Sequence, residues 1–274
     1  MEIKISVIIP SYKPQLYLWE CLNSLANQTF SKQYFEIILV LNGCSEPYKS
    51  DIDIYLRKNM NEFNVNFIHS LQGGVSNARN LALEHARGEY ITFIDDDDIV
   101  SPSYLQELYD KSNHDTVVLA YPYAFDDYHL EKQLPYHITD VYDFCSRRKN
   151  NKISSKVRKY FSGPCMKLIP MSFIQERRFD SRFNNGEDTL FMFLISDRIK
   201  HIRFTSKNAV YYRRNRAGSA VNVKRKFSDV CYSNLLQIVT YFKYYLKNPL
   251  EYNIPFFISR IGGSLYAIVV RLIK

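Results

Sequence analysis

The chain has 274 residues, a hydrophobic fraction of 46% and a charged fraction of 23%, a composition that is typical of folded globular proteins and excludes an intrinsically disordered one. Its charge is unevenly divided. Residues 1–140 contain 10 Lys+Arg and 20 Asp+Glu, whereas residues 141–274 contain 26 and 8. The acidic half, of net charge −10, indicates a feature that holds cations, and the basic half, of net charge +18, indicates one that meets phosphates or a membrane surface.

The cysteines and the N-terminus indicate a reducing compartment. The cysteines are scattered and form no CxxC pair, so neither a disulfide framework nor a zinc site is predicted; they are Cys21, Cys44, Cys145, Cys165 and Cys231. The N-terminal apolar run is too short for an export signal. No uninterrupted apolar run reaches the roughly 18 residues of a spanning helix. We therefore expect a cytoplasmic protein.

The first 120 residues alternate between two patterns. Short apolar, β-branched runs predict buried parallel strands at residues 3–9, 36–41, 65–68, 90–94 and 116–119. Helical spacing of apolar residues lies between them, at residues 18–25, 52–63, 74–86 and 104–108. This alternation predicts an α/β fold with a doubly wound, Rossmann-like sheet flanked by helices. Ligands of such sheets bind outside the carboxyl ends of the strands, so the segments that follow the strands are expected to converge.

The second half ends in two helical patterns, predicted as a C-terminal helical extension. The first has an amphipathic stripe formed by Phe227, Val230, Asn234, Ile238, Tyr241 and Tyr245. The last, residues 254–273, has a wide apolar stripe formed by Ile254, Phe257, Ile258, Ile261, Leu265, Ile268 and Leu272, flanked by Arg260, Arg271 and Lys274. This pattern suits a helix lying on a membrane surface, and it equally suits a helix that packs on the domain or on a second subunit of a homodimer.

Four adjacent carboxylates, Asp95 to Asp98, follow the predicted strand at residues 90–94. At an effective dielectric constant of about 20, close carboxylates repel one another by several kcal/mol per pair, so a cleft that contains them needs a neutralising partner. A hard divalent cation such as Mn²⁺ or Mg²⁺ is one such partner. The alternative is a solvated acidic turn before a helix that starts near Pro102.

A second carboxylate motif, Gly186-Glu187-Asp188, precedes an apolar helical pattern. A carboxylate in the first turn of a helix is stabilised as an anion, so one interpretation is a helix cap. The functional interpretation is a general base that takes a proton from an attacking hydroxyl. The second interpretation requires the fold to bring Asp188 close to Asp97.

Taken together, these motifs resemble a known family. The matching segments are IKISVIIPSYKPQLYLWECLNSLANQTF, EIILVLNG, GGVSNARNLALEHARGEYITFIDDDD and NNGEDTLF. They are similar to the family 2 glycosyltransferases of the GT-A fold, inverting nucleotide-sugar enzymes of bacterial surface polysaccharide synthesis. The resemblance is close over residues 3–112 and looser over residues 160–220. It implies a GT-A domain at residues 1–220, with a nucleotide-sugar part (1–120) and an acceptor part (121–220), followed by the helical extension at residues 221–274.

The resemblance also implies residues that bind the donor. Pro10, Ser11 and Tyr12 would line the base pocket, Tyr12 offering a stacking face, although a tyrosine packed on the sheet end fits the same position. Asn42 stands where the family commonly has an acid that contacts the base, and its amide can donate and accept. Arg79, in the family's Gly-x-x-x-Ala-Arg-Asn helix start, would reach a phosphate or the base; a surface cation is the alternative.

For catalysis, the resemblance implies that Asp95 and Asp96 lie at the donor, Asp95 near the ribose, and that Asp97 binds Mn²⁺ or Mg²⁺. Asp188 matches the general base that single-step inversion requires. Arginines suit a diphosphate, so Arg213, Arg216 and Ser219 would lie over that group, with a solvated basic face as the alternative. No histidine in this stretch is available as a further metal ligand.

The expected activity is transfer of a hexose from a nucleotide diphosphate sugar, a UDP-sugar by preference, to a sugar hydroxyl of a lipid-linked glycan at the inner face of the membrane. The product would be a capsule, O-antigen or other surface polysaccharide. A sugar-nucleotide pyrophosphorylase is one rival, but the first strand lacks the glycine-rich loop expected after it. A nucleic-acid-binding module using residues 141–226 is another, although a nucleic-acid partner is not expected. Neither GxxxxGK(S/T) nor GxGxxG occurs.

Overall fold

The computed structural model describes residues 2–127, 129–147, 151–183, 185–216 and 226–273. The strands are β1 (Ile5–Ser11), β2 (Phe35–Asn42), β3 (Val65–Ser70), β4 (Tyr90–Phe93), β5 (Ile99–Val100), β6 (Thr116–Leu119), β7 (Tyr121–Asp126), β8 (His129–Leu134), β9 (Lys167–Pro170), β10 (His201–Phe204) and β11 (Val210–Asn215). The α-helices are α1 (Leu16–Ala26), α2 (Tyr48–Asn59), α3 (Val75–His85), α4 (Tyr104–Asp110), α5 (His137–Ser146), α6 (Met171–Ile174), α7 (Glu187–Leu194), α8 (Phe227–Lys247) and α9 (Ile254–Ile273). Short 3-10 helices lie at Lys32–Tyr34, Ser155–Val157 and Tyr160–Ser162.

The main sheet has seven strands in the order β10-β6-β9-β4-β1-β2-β3. As predicted, β4, β1, β2 and β3 are parallel neighbours. β9 was not among the predicted strands; it lies between β4 and β6 and is antiparallel to both, so the sheet is mixed. β3 is half-buried rather than buried, since it is an edge strand with a neighbour on one side only. The predicted α/β class is confirmed.

The core explains why the first half forms this sheet. β1 and β2 are buried along their whole length, which suits their unbroken apolar, β-branched runs. Helix α1 buries Leu18, Leu22 and Leu25, which recur on one face at helical spacing. Helix α3 lies against β1 and β2 and buries the small side chains of Ala78 and Ala82, so its first turn sits close to the strand ends.

A second sheet, not predicted from the sequence, has the order β5-β11-β7-β8. β5 begins directly after Asp98 and pairs with β11 through Tyr211 and Tyr212. β11 runs parallel to β7 on its other side. The pairing places the residues that follow β4 next to the arginines of β11, although the two segments are more than a hundred residues apart in the chain.

The helical extension is confirmed as a hairpin of α8 and α9 that packs on α7. Aromatic rings form this contact: the Phe193 ring stacks on the Tyr252 ring, with centroids 4.8 Å apart, and the Phe161 and Phe256 rings meet edge to face at 6.0 Å. The predicted boundary at residue 220 lies outside the described residues, and the division of residues 1–220 into donor and acceptor parts stays a prediction.

The packing face of α9 differs from the predicted stripe. The buried residues are Phe256, Phe257, Arg260 and Ser264, whereas Ile258 is 61% exposed and Leu272 is 64% exposed. Arg260, expected to flank a membrane face, is buried because its Nη2 donates to the Phe161 carbonyl at 2.5 Å. By length and composition α9 is also apolar enough to cross a membrane, and no other helix in the described part of the chain is.

Candidate active site

The segments that follow β1, β2 and β3 meet at one edge of the sheet, as expected. Gly43 has φ +66°, and a Cβ placed there would lie 2.8 Å from the Gly73 Cα and 3.5 Å from Tyr12 Cε2. Only glycine allows this approach together with this backbone conformation. The Tyr12 side chain is 56% exposed beside them, so its ring is available to a ligand. Stacking on a base stays a prediction.

Residues at the ends of β1 and β2 are tied to the start of α3. Pro10 and Ser11 are buried, and the Ser11 hydroxyl donates to Asp96 Oδ2 at 2.5 Å. The Asn42 amide, also buried, donates through Nδ2 to the Ser11 carbonyl at 2.7 Å and accepts the Gly74 N–H at 3.0 Å through Oδ1. Asn42 therefore ties the end of β1 to the start of α3; its role in reading a base stays a prediction.

The guanidinium of Arg79 joins the two carboxylate motifs. Arg79 Nη1 lies 2.5 Å from Asp188 Oδ1 and Nη2 lies 3.1 Å from Asp95 Oδ1. Arg79 is only 3% exposed, and its guanidinium carbon lies 5.4 Å from the centre of the Phe179 ring. The alternative interpretation of Arg79 as a surface cation is thus wrong. A contact between Arg79 and the donor stays a prediction, and the contacts described make Arg79 the link that brings Asp188 to the acidic loop.

Burial and ion pairing set the protonation of this group. Burial disfavours the Arg79 cation, but the charges of Asp188 and Asp95 outweigh it and hold the pKa of Arg79 above its ordinary value. Burial raises the pKa of Asp188, which Arg79 opposes. Asp188 is thereby a carboxylate that stays paired yet holds a proton more readily than an exposed one does. This is what a general base requires.

The four aspartates of the acidic loop point in different directions. The Asp97 carboxylate accepts the Arg216 Nε–H at 2.6 Å, and the buried Asp98 accepts the Tyr211 hydroxyl at 2.7 Å and the Arg214 backbone N–H at 2.8 Å. Burial raises the pKa of Asp96 to about 7. The Arg216 guanidinium therefore neutralises part of the charge for which the sequence suggested a cation, while neutral hydrogen-bond donors stabilise Asp98.

The carboxylates of the acidic loop are the candidate ligands for a metal ion. Within the described residues no group of three or more His, Cys, Asp or Glu side chains is placed to hold a metal ion. The Asp95 side chain is 44% exposed and that of Asp97 is partly exposed. Mg²⁺ and Mn²⁺ are commonly bound by one or two carboxylates, and phosphate oxygens and water fill the remaining coordination positions. The side chains of Asp95 and Asp97 fit this arrangement. The residues present thus fit a metal that arrives with a diphosphate.

The arginines of β11 and the residue after it separate into different positions. Arg214 is buried, pairs with Glu20 and donates from Nη1 to Asp127 Oδ1 at 3.0 Å. The resemblance implied that the arginines from Arg213 to Arg216 lie at the phosphates; the described ion pairs of Arg214 are instead with acidic side chains of this chain. Arg216 lies at Asp97, and the Arg213 guanidinium carbon lies 5.3 Å from the centre of the Tyr136 ring. Ser219 lies outside the described residues.

Two polar residues near the site, Lys167 and Asn80, were not identified in the sequence analysis. Lys167 is buried, and its Nζ donates to the carbonyls of Gly163 and Cys165, each at 2.6 Å; burial lowers its pKa to about 7. The signal was a lone lysine inside the apolar run MKLIP. Asn80 exchanges hydrogen bonds of 2.8 Å with the Phe179 backbone, 99 positions away, and so places the ring beside Arg79. Nothing local in the sequence indicates that pairing.

Comparison with known proteins agrees with this geometry. The chain is 30% identical over 228 residues to the minor teichoic acid biosynthesis protein GgaB of Bacillus subtilis, covering 78% of this chain and 23% of GgaB. It is 29% identical over 240 residues to the glycosyltransferase GlyG of Streptococcus pneumoniae, covering 82% of this chain and 75% of GlyG. The chain therefore spans about a quarter of GgaB and three quarters of GlyG.

Among solved structures, S. aureus TarS 1-349 in complex with UDP-GlcNAc matches with a TM-score of 0.70 and 23% identity, over 98% of this chain and 72% of that one. This likeness confirms the GT-A type of fold that the sequence implied. The sequence model described as Glycosyl transferase family 2 matches residues 6–177, well over half of the chain. The chain belongs to glycosyl transferase family 2.

Proposed function

We propose that this family 2 glycosyltransferase transfers a hexose, with inversion, from a UDP-sugar to a hydroxyl of a glycan acceptor in surface polysaccharide synthesis. One observation supports the proposal above all: Arg79 holds Asp188 and Asp95 at one place, so an acid from the acceptor side meets the acidic loop on the donor side. The names of GgaB and TarS, and the UDP-GlcNAc bound to TarS, point to the same substrate class.

In this mechanism Asp188 accepts the proton of the acceptor hydroxyl as its oxygen attacks the anomeric carbon. The bond from that carbon to the diphosphate breaks in the same step, and negative charge develops on the departing diphosphate. Arg216, beside Asp97, is placed to bind that charge. Arg79 keeps the Asp188 carboxylate oriented and ionised. Tyr12, exposed at the end of β1, would stack on the base of the donor.

A divalent cation, Mn²⁺ or Mg²⁺, is part of the proposal. Asp97, together with Asp95, would hold it jointly with the donor diphosphate and water. When bound, such an ion stabilises the charge of the leaving diphosphate. The support is chemical, because these side chains supply partly exposed carboxylate oxygens and the arginine beside them is suited to the same anion.

A peripheral membrane location is the third part of the proposal, with a lipid-linked acceptor at the inner face of the membrane. The α8–α9 hairpin leaves an apolar surface exposed, formed by Tyr232, Leu235, Val239, Leu246, Ile258, Leu265, Val269 and Leu272. Lys243 and Lys247 are exposed on the same helix as four of these side chains. Apolar side chains bordered by cations suit the interface of an anionic membrane.

The donor and the base are tested together. A panel of UDP-, GDP- and dTDP-sugars with Mn²⁺ is scored by nucleotide release and by thermal shift; we expect a UDP-sugar to be turned over fastest. Asp188→Asn should lower kcat by about 100-fold or more while UDP still raises the Tm, because the proton acceptor is lost and the residues proposed to bind the base of the donor are unchanged. Asp51→Asn, an exposed acid of α2, is the matched control. A folded Asp188→Asn variant with near-normal transfer refutes the base.

The metal has its own test. Exhaustive chelation should abolish nucleotide release, and added Mn²⁺ or Mg²⁺ should restore it. Asp97→Asn should require a higher Mn²⁺ concentration for half-maximal rate, since one carboxylate ligand is lost. Full activity after chelation contradicts the metal role of the acidic loop and leaves the role of Asp188 to its own test.

A further inference from the structure

The loop that precedes the proposed base is held by the C-terminal hairpin. Gly186 is the N-cap of α7, has φ +84° and offers no side chain to cap the helix. The Asn185 carbonyl next to it accepts hydrogen bonds from two residues of α8, Gln237 Nε2 at 3.2 Å and Ser233 Oγ at 3.4 Å. The start of α7 is thus fixed by a helix that begins some forty residues later.

The Gln237 side chain is buried and closely packed. It is 5% exposed, and a Cβ added at Gly186 would collide with its amide group. On its other side, the Ser264 hydroxyl of α9 donates to Gln237 Oε1 at 3.4 Å. Both ends of the amide are therefore engaged, and because the Asn185 carbonyl can only accept, it is the amide N–H that faces this carbonyl.

Asp188 is in the first turn of α7, two residues after Gly186, so the direction of its carboxylate depends on where and at what angle α7 begins. The far end of α7 is tied to the same region, because the Tyr252 hydroxyl donates to the Leu194 carbonyl at 3.2 Å. We propose that Gln237 is a positioning residue: through Asn185 and Gly186 it orients the Asp188 carboxylate toward Arg79 and the acceptor. This inference rests on the proposed role of Asp188 as the base.

The hairpin does not depend on Gln237 for its stability. Phe193, near the C-terminal end of α7, packs against Tyr241, Tyr252, Phe256 and Phe257 of the hairpin region. A single net hydrogen bond contributes about 1 kcal/mol, which is small beside such an aromatic cluster. Replacing Gln237 should therefore leave the fold in place while freeing the start of α7.

The test uses Gln237→Met in the full chain, with release of UDP from the nucleotide sugar that the panel turns over fastest and water as the acceptor. We expect kcat to fall about 5- to 20-fold, with the donor KM and the UDP-induced rise in Tm unchanged, because the donor is held at the ends of β1, β2 and β4. Asn234→Leu is the matched control: its buried amide donates within α8, to the Val230 carbonyl at 2.8 Å, and among the described residues it has no hydrogen bond to the loop.

A double-mutant cycle separates positioning from general stability. Combined with Asp188→Asn, Gln237→Met should slow the reaction no further, since it acts only through Asp188. An equal fall of kcat in Gln237→Met and Asn234→Leu overturns the inference, and so does an undiminished effect in the Asp188→Asn background. If Gln237→Met is not soluble, Ser264→Ala takes its place under the same criteria. Near-normal turnover by Asp188→Asn itself refutes the base and the inference with it.

Discussion

Arg79 shows how much a single residue contributes to this site. Its two terminal nitrogens bind carboxylates that are 16 and 109 positions away in the chain, and its burial makes the pairing costly to disturb. A guanidinium is suited to this because its planar fork presents two donors at fixed angles. The side chain that the sequence placed at a phosphate or the base is, in its described contacts, the link between the acidic loop and the first turn of α7.

Arg79→Lys is expected to break this link while keeping the charge. One ammonium cannot bond both carboxylates in the fork geometry, so the free energy of unfolding should fall by about 1.5–3 kcal/mol. Because Arg79 lowers the pKa of Asp188, the weaker pairing should move the acid limb of the kcat profile to higher pH. Urea unfolding and a pH–rate profile measure the two effects. An unchanged acid limb would show that Arg79 does not tune the base.

Lys167 provides a pH dependence with a definite sign. Burial lowers its pKa from 10.5 to about 7, so between these values the unfolded chain binds a proton that the folded chain does not. The contribution of Lys167 to stability therefore increases as pH rises from about 7 to 10, by at most about 1.4 kcal/mol per pH unit. Lys167→Met should lose this rise, as urea unfolding at pH 7, 8, 9 and 10 would show. Lys132→Met, an exposed lysine, should keep the wild-type slope.

At the scale of elements, the loops that follow β2 and β3 approach each other closely at Gly43 and Gly73. Gly43→Ala should lower the free energy of unfolding by about 1–2 kcal/mol for its left-handed φ alone, and the contact with the Gly73 Cα should push the loops apart. The stabilisation of the protein by UDP with Mn²⁺ should shrink accordingly, as thermal shift measures.

Gly73→Ala is the control for that experiment. Gly73 has an ordinary φ, and its added Cβ would lie 3.5 Å from the Gly43 Cα, a normal contact. We expect a small change in Tm and a UDP response close to that of the wild type. Equal effects of the two substitutions would show that the Gly43 conformation does not matter for the site.

Elements with a strong local pattern were predicted well. β1, β2, β4 and β6 lie at the unbroken apolar runs, and α9 has the predicted bounds. A strand buried on both faces and a helix with one apolar stripe each produce a pattern in the local sequence, so both can be predicted from it. β5, β9 and β11 were missed. They are two to six residues long and are stabilised by pairing with strands far away in the chain, so their own residues contain little signal.

At the scale of the whole molecule, the charged residues behind the asymmetry occupy different places in the fold. Part of the acidic charge is neutralised by Arg79, Arg214 and Arg216 from elsewhere in the chain. Other cations, such as Lys243 and Lys247, stay exposed beside the apolar surface of the hairpin. Positively charged side chains thus pair with acids inside the site and also lie on an outer surface. Experiments can test the two groups of side chains separately.

Binding to vesicles tests the outer surface. The wild-type chain should bind phosphatidylglycerol vesicles, weakly bind phosphatidylcholine vesicles, and dissociate as salt rises, because screening weakens the attraction of the lysines. Ile258→Ser with Leu265→Ser should reduce binding several-fold and leave nucleotide release and Tm unchanged, since both side chains are exposed. Phe257→Ser, on the buried face, should instead lower the Tm.

The same variants also test the alternative that the exposed apolar surface of the hairpin is a subunit interface. If the apolar surface joins two copies of the chain, Ile258→Ser with Leu265→Ser converts a dimer to a monomer in analytical ultracentrifugation and vesicle binding is absent from the start. That result would contradict the membrane proposal and identify the surface as a subunit interface.

The sequence by itself determined the family, the α/β class, the strands of the first half and the two carboxylate motifs. These depend on local order: apolar runs, helical spacing, and short motifs whose residues are neighbours in the chain. Only the tertiary structure decided that Arg79 joins Asp95 to Asp188, that Arg214 and Arg260 are internal, and that Gln237 bonds to the loop before Asp188. These contacts join segments that are distant in sequence, and their partners are selected by packing and by the need to pair buried polar groups, which no local pattern records.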